Sequence, residues 1–180
     1  MKKDGFTLIE LIVVIAIMGI AAAIAIPGFS RWLPDSRLKS ATRDVYSSMQ
    51  LAKLGAIKAN ADWAIVFNAG SNSYRVCSDD GGDGDWTDGD EADEKTVNLT
   101  DYGSGVGYGP GSATDDIPNN GAPPAANITY GSDVAVFNSR GTCNAGYVYL
   151  ENNKNTTTYG VGTRSSGIIR LLKWDGASWG

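Results

Sequence analysis

Gly5-Phe6-Thr7-Leu8-Ile9-Glu10, followed by the apolar run Leu11 to Ile26, decides how the rest of this chain is read. Phe6 to Ile26 is 21 residues in which only Thr7 and Glu10 carry polar side chains, long enough to cross a hydrocarbon core as a helix. Met1 to Gly5 form a leader far shorter than a secretory signal peptide, and no small-x-small cleavage site follows the apolar block. The apolar segment is therefore expected to stay on the mature protein as a membrane anchor. Lys2 and Lys3 keep their end in the cytoplasm under the positive-inside rule, which sends everything after Pro27 across the membrane.

Glu10 breaks the apolar pattern. A carboxylate inside a spanning segment costs about 2.5 to 3.5 kcal/mol on insertion scales and calls for a partner. Two amines qualify if the leader is removed after Gly5: the new amino group of Phe6, one helical turn away, and the same amine on a neighbouring copy. A first-turn acid held by the helix dipole is the simpler alternative.

The string Lys2-Lys3-Asp4-Gly5 before Phe6-Thr7-Leu8-Ile9-Glu10 resembles the class III signal of type IV prepilins and of the pseudopilins of type II secretion. The resemblance implies cleavage between Gly5 and Phe6 by a prepilin peptidase/methyltransferase at the cytoplasmic face, N-methylation of Phe6, and a filament of stacked N-terminal helices. It also implies that Glu10 neutralises the Phe6 amine of an adjacent subunit. Pro27 stands where the family has a proline associated with helix melting during assembly.

At 180 residues there is room for this anchor and one globular domain. The chain has no histidine, which removes the commonest general base and the commonest catalytic zinc ligand. Cys77 and Cys143 lie in the exported portion, where disulfides persist. Either they pair, closing a loop of about 65 residues worth about 3 to 4 kcal/mol, or they stay as two buried thiols.

Beyond Ile26 the helix is expected to continue to Asn60, kinked or locally unwound between about 23 and 35 because Pro27 and Pro34 each remove a backbone donor. Leu38, Ala41, Val45, Met49, Ala52, Ala56 and Ala59 then recur every three or four residues, the stripe of an amphipathic helix lying on a sheet. At 1.5 Å per residue a helix over 6–60 is about 80 Å long, so its first half, 6–26, must project from a compact domain. Residues 61–180 carry strand patterns at Trp63–Phe67, Ser73–Cys77, Val134–Phe137, Gly146–Leu150, Thr156–Val161 and Gly167–Trp174, with a five-residue hairpin loop at Asn68–Asn72. The fold class is α+β, a long N-terminal helix packed on an antiparallel β-sheet head. Phe137-Asn-Ser-Arg-Gly141 before a strand and Gly167-Ile-Ile-Arg170 near the end resemble the GspH/FimT branch of pseudopilins and minor pilins, which implies a pilin-like fold and a minor subunit.

An acidic loop at 79–94 holds nine acids and no base in 16 residues, so the net charge of −5 is a local property: the rest has 11 acids against 15 bases. Asp83, Asp85, Asp88 and Asp90, among flexible glycines, are the calcium candidates, although Thr87 and Asp88 break the EF-hand register. A solvated acidic loop without metal is the plainer expectation. The stretch 102–127, rich in glycine, proline and asparagine, reads as one long irregular surface loop suited to partner contacts.

Some FimT-like minor pilins bind DNA through a basic C-terminal motif, which makes Arg164, Arg170 and Lys173, with Trp174 and Trp179 as stacking surfaces, the nucleic-acid candidates. Ile168 departs from that motif, three bases in an acidic protein make a weak patch, and DNA is not the expected partner. The expectation is a minor pseudopilin of a type II secretion system, anchored in the bacterial inner membrane with a periplasmic head, partnered by other pilins or pseudopilins and needing no cofactor. A minor pilin of a type IV pilus is the alternative. A membrane-tethered hydrolase using carboxylate pairs is the remote one, since no nucleophile elbow, metal-ligand spacing or phosphate loop is present.

Overall fold

The segment from the apolar block to Lys58 forms one α-helix, α1, over Leu8–Ala59, although Pro27, Pro34 and three glycines fall within it. The computed structural model of the chain describes residues 6–117, 121–152, 154 and 157–180, the side chains of 25–31 excepted. The unwinding expected between about 23 and 35 does not occur: the backbone is helical through both proline positions. Each proline removes one donor from a ladder of 52 residues, and the bonds on either side hold the helix together. The chain divides into two compact units, 1–33 and 34–180, and α1 supplies residues to both.

In the second unit α1 buries the anticipated stripe. Leu38, Ala41, Val45, Met49, Ala52 and Ala56 are wholly inaccessible to solvent. Ala59 is exposed, because the helix stops there and Asn60 turns left-handed at φ 53°. Gly55 allows a further contact: a Cβ at that position would run into the Trp63 indole, so only glycine lets the ring lie against the helix.

The stripe packs on two antiparallel sheets. β1 (Trp63–Asn68), β2 (Ser73–Cys77), β3 (Asp93–Asn98) and β5 (Val134–Phe137) form the first, in the order β3-β2-β1-β5. The second has β4 (Val106–Tyr108), β6 (Gly146–Asn152), β7 (Thr158–Thr163) and β8 (Ile169–Lys173), in the order β4-β6-β7-β8. Ile65, Tyr74 and Val76 from the first and Val148, Leu150 and Val161 from the second meet Leu38, Val45 and Met49 in one core. Full burial of each large aliphatic chain is worth about 1.5 to 3 kcal/mol, so this core is what joins helix and sheets.

Two strands lie where no strand pattern was legible. β3, Asp-Glu-Lys-Thr-Val-Asn, is a polar edge strand with only Lys95 and Val97 half-buried, and charge on an edge hides the usual alternation. β4 is three residues long within the glycine-rich stretch, so part of the expected loop is a strand. Pairing of Asn68 with Ser73 also shortens the β1–β2 loop to Ala69–Asn72, with Asn72 at φ 55°.

The cysteines do not pair. Cys77 packs with Ala64, Val66, Trp86 and Val134 on the outer face of the first sheet, whereas Cys143 lies in the main core on the other face. Alternation along β1, β2 and β5 puts a sheet between the two sulfurs. Burial pushes the Cys77 thiol up to about 12 and the Cys143 thiol up to about 11, so both stay protonated and inert.

Candidate functional site

Thr7 opens α1 with a hydroxyl that accepts from the Glu10 N–H (3.3 Å) and donates to Glu10 Oε2 (3.4 Å). Threonine followed three residues later by glutamate is the spacing that lets side chains satisfy orphan amides at a helix start. From Phe6 to Ile24 every side chain is exposed, Phe6 to 82% and Ile24 to 76%. Glu10 is the one carboxylate in that segment. Gly5 and the cleavage position lie outside the described residues, as does the side chain of Pro27. Leu8 to Ile24 is 17 residues, and among the described residues no helix is long and apolar enough to cross a membrane.

The acidic tract is a built loop between β2 and β3, closed at its base where the Ser78 N–H donates to the Ala92 carbonyl (2.9 Å). Trp86, in its middle, is buried against Ala64, Val66, Cys77 and Val134 and pins the loop to the outer sheet face. Arg75 on β2 supplies the base that the tract lacks, meeting Glu91 and Asp93 at 3.1 Å each. Carboxylates cap successive turns: Asp83 accepts from the Asp85 N–H (2.8 Å) and Asp85 from the Thr87 N–H (2.9 Å). Asp83, Asp88 and Asp90 converge with ligand atoms within 4.8 Å of one another, all exposed. Asp85 is not in that group; its Oδ1 accepts from both the hydroxyl and the amide of Thr87. A hydrogen bond with Asp88 raises the Asp90 carboxyl, and the same contact lowers that of Asp88. Calcium takes six to eight oxygens, and three solvated carboxylates fit only part of that shell.

The basic candidates do not form one patch. Arg164 is exposed in the turn after β7, while Arg170 and Lys173 are three residues apart on β8 and therefore face opposite sides of the second sheet. Trp174 and Trp179 are buried, their ring centroids 5.4 Å apart, and Trp179 Nε1 donates to the Asp115 carbonyl (2.8 Å). They form a satellite core with Tyr149 and Leu172 that ties down the C-terminus, so neither indole is free to stack on a base.

A polar cluster with no sequence signature holds α1 to the head. Asp44 accepts from Lys95 Nζ at 2.9 Å through both oxygens, from the Tyr74 hydroxyl at 2.8 Å and from the Tyr102 hydroxyl at 2.7 Å. Lys95 also donates to Ser48 (3.0 Å), whose hydroxyl lies 3.1 Å from that of Tyr74. Burial acts to raise the Asp44 carboxyl, but hydrogen bonds from Lys95, Tyr102 and Tyr74 outweigh it and hold it below the usual carboxylate range. The only hint was that Asp44 lies off the apolar stripe; its partners come from β2, β3 and the 3-10 turn Leu99–Tyr102.

A helix that begins in an apolar segment exposed on every side and ends packed on two antiparallel sheets defines a pilin-like α+β subunit. Residues 1–26 match the prokaryotic N-terminal methylation motif, and residues 41–167 match the type II transport protein GspH. The chain belongs to the GspH family of pilin-like proteins. Among curated proteins it is 42% identical over 61 residues to a type IV major fimbrial protein FimA of Dichelobacter nodosus, covering 32% of this chain and 38% of that protein. Another FimA of the same organism is 30% identical over 123 residues, 64% of this chain and 72% of that one. The chain thus spans less than half of the first relative and nearly three quarters of the second. Among solved structures, the type IV minor pilin FimU of Pseudomonas aeruginosa aligns over 83% of this chain and 96% of its own with a TM-score of 0.44 and 12% identity.

Proposed function

We propose that this chain is a minor pseudopilin of a type II secretion system, a structural subunit of an inner-membrane-anchored helical filament that acts by assembly and not by catalysis. The observation that carries the reading is the exposure of every side chain from Phe6 to Ile24 with one carboxylate among them. A helix apolar on all sides must be surrounded by lipid or by other helices. Before assembly the surroundings are lipid, with one pass through the inner membrane and the head in the periplasm; in the filament they are neighbouring helices. Lipid and a helix bundle are about equally apolar, so burial alone does not drive the transfer. Glu10 supplies the difference by meeting the methylated Phe6 amine of an adjacent subunit, which relieves an unpaired charge in a medium of low dielectric. Prepilin peptidase exposes and methylates that amine after removing residues 1–5.

Mass spectrometry of protein from cells with an active prepilin peptidase tests this directly. The expected N-terminus is methylated Phe6, and Glu10→Ala is expected to abolish incorporation into filaments while the head folds normally. Retention of the leader, or full incorporation of Glu10→Ala, would overturn the reading. A minor subunit of a type IV pilus is the second reading, favoured by the fimbrial relative that shares 30% identity over 123 residues. Deletion separates the two: loss of protein export with surface pili intact supports the first, and loss of pili with export intact supports the second.

A further inference from the structure

The outer edge of β5 is closed by a side chain where a neighbouring strand would ordinarily stand. The Val136 N–H donates to Asn144 Oδ1 (2.8 Å), and Asn144 Nδ2 donates to the Val134 carbonyl (2.8 Å). One carboxamide thus takes the two ladder positions that an added antiparallel strand would fill. The chain alongside β5 runs as a strand only through the β-bridge between Phe137 and Cys143 and the bond from the Asn138 N–H to the Thr142 carbonyl (3.0 Å). Asn144 is where it departs, and as an exposed residue its side chain can swing into water without disturbing the core.

Beside this edge lies a cleft of about 450 Å³ with Trp86, Val134, Val136 and Asn144 in its walls. At Thr87 and Ser132 it meets a second cleft, of about 560 Å³, which crosses the outer face of the first sheet over Val66 and Arg75. Asp83 and Asp85 line the first cleft and Asp133 the second, whereas the charge of Arg75 is already met by Glu91 and Asp93. The groove is therefore acidic at its rim, has Val66, Trp86, Val134 and Val136 among its lining residues, and is bordered by strand groups that one exposed side chain now satisfies.

We propose that this groove receives an extended polypeptide segment carrying lysine or arginine, which displaces the Asn144 carboxamide and adds to β5 as a strand. Side chains alternate along such a segment, so apolar ones reach Trp86, Val134 and Val136 while the backbone pairs with Val134 and Val136. Its cationic side chains meet Asp83 and Asp85, which selects basic over acidic segments. The inference goes beyond the filament reading and stands whichever machine the subunit serves.

The full-length protein in detergent micelles, titrated calorimetrically with a seven-residue peptide alternating valine and lysine, provides the test, with the valine–glutamate peptide as control. The lysine peptide is expected to bind, the glutamate peptide to fail, and binding to weaken as salt rises. Asn144→Ala is expected to tighten the lysine peptide about fivefold by removing its competitor, and the pair Asp83→Asn with Asp85→Asn to weaken it about fivefold. Equal binding of both peptides, no binding at millimolar peptide, or an affinity unmoved by Asn144→Ala would overturn the proposal. Should Asn144→Ala unfold the head, the wild-type protein decides alone: hydrogen exchange at the Val136 amide slows with the lysine peptide if a strand has been added, and unchanged exchange refutes it.

Discussion

Replacing Asp44 by asparagine leaves its shape but removes the charge that Lys95, Tyr74 and Tyr102 all address. An asparagine oxygen can still accept from one or two of them, while its amide turns a donor toward the rest. Removing one partner of a fully buried charge pair costs about 3 to 5 kcal/mol. The Asp44 side chain is 28% exposed and that of Lys95 34%, so solvent screening reduces this to about 2 to 3 kcal/mol. In a protein of this size each kcal/mol moves the melting temperature by about 2 to 4 °C, which gives a drop of about 4 to 12 °C. The assay is thermal unfolding of the full-length protein in micelles followed by circular dichroism, repeated with Lys95→Met and with the double variant. Coupling in that cycle is expected, because the two side chains share one network. The pH dependence has a definite sign. Asp44 titrates in the folded protein below the ordinary aspartate value of 3.8, so its contribution is present in full well above that value and is lost as pH falls through the lower folded value. Wild type should therefore lose stability on acidification in that window, and Asp44→Asn should lose less. A cost under about 0.5 kcal/mol, within the range of ordinary surface substitutions, would refute the clamp.

Trp86→Ala should free the acidic loop from the sheet: truncating a packed tryptophan costs about 3 to 5 kcal/mol in a core, less at this peripheral cluster, and limited proteolysis should cut within 79–92 in the variant before wild type. Both cysteines should react with a thiol-specific disulfide reagent only after denaturation, with two thiols counted per chain; a count of none would mean that they form a bridge. Millimolar calcium should leave the melting temperature unmoved, since the three converging carboxylates are exposed and supply only part of a calcium shell; a rise would establish a site bound by the folded state.

The helix and its buried stripe were legible because a 3.6-residue period survives in sequence wherever one face of a helix meets a core, as Leu38, Val45 and Met49 do. The hairpin of β1 and β2 was legible for the corresponding reason in a strand. β3 was not: an edge strand is stabilised by its partner's backbone, and its two inward residues, Lys95 and Val97, are too few to mark an alternation among charged and polar neighbours. The burial of the aromatic residues near the C-terminus was not legible for a related cause, since a tail that folds back on its own sheet covers Trp174 and Trp179 without altering local composition.

Local order alone determined the exposed apolar segment, the placement of Glu10 and the α+β class, because consecutive apolar residues and periodic ones act through their immediate neighbours along the chain. Only the tertiary structure decided that Cys77 and Cys143 stand on opposite faces of a sheet, that Asp44 gathers three donors from distant elements, and that Asn144 closes the β5 edge. Each of those depends on strands far apart in sequence arriving at one register, and register is set by the whole packed core and not by any single segment.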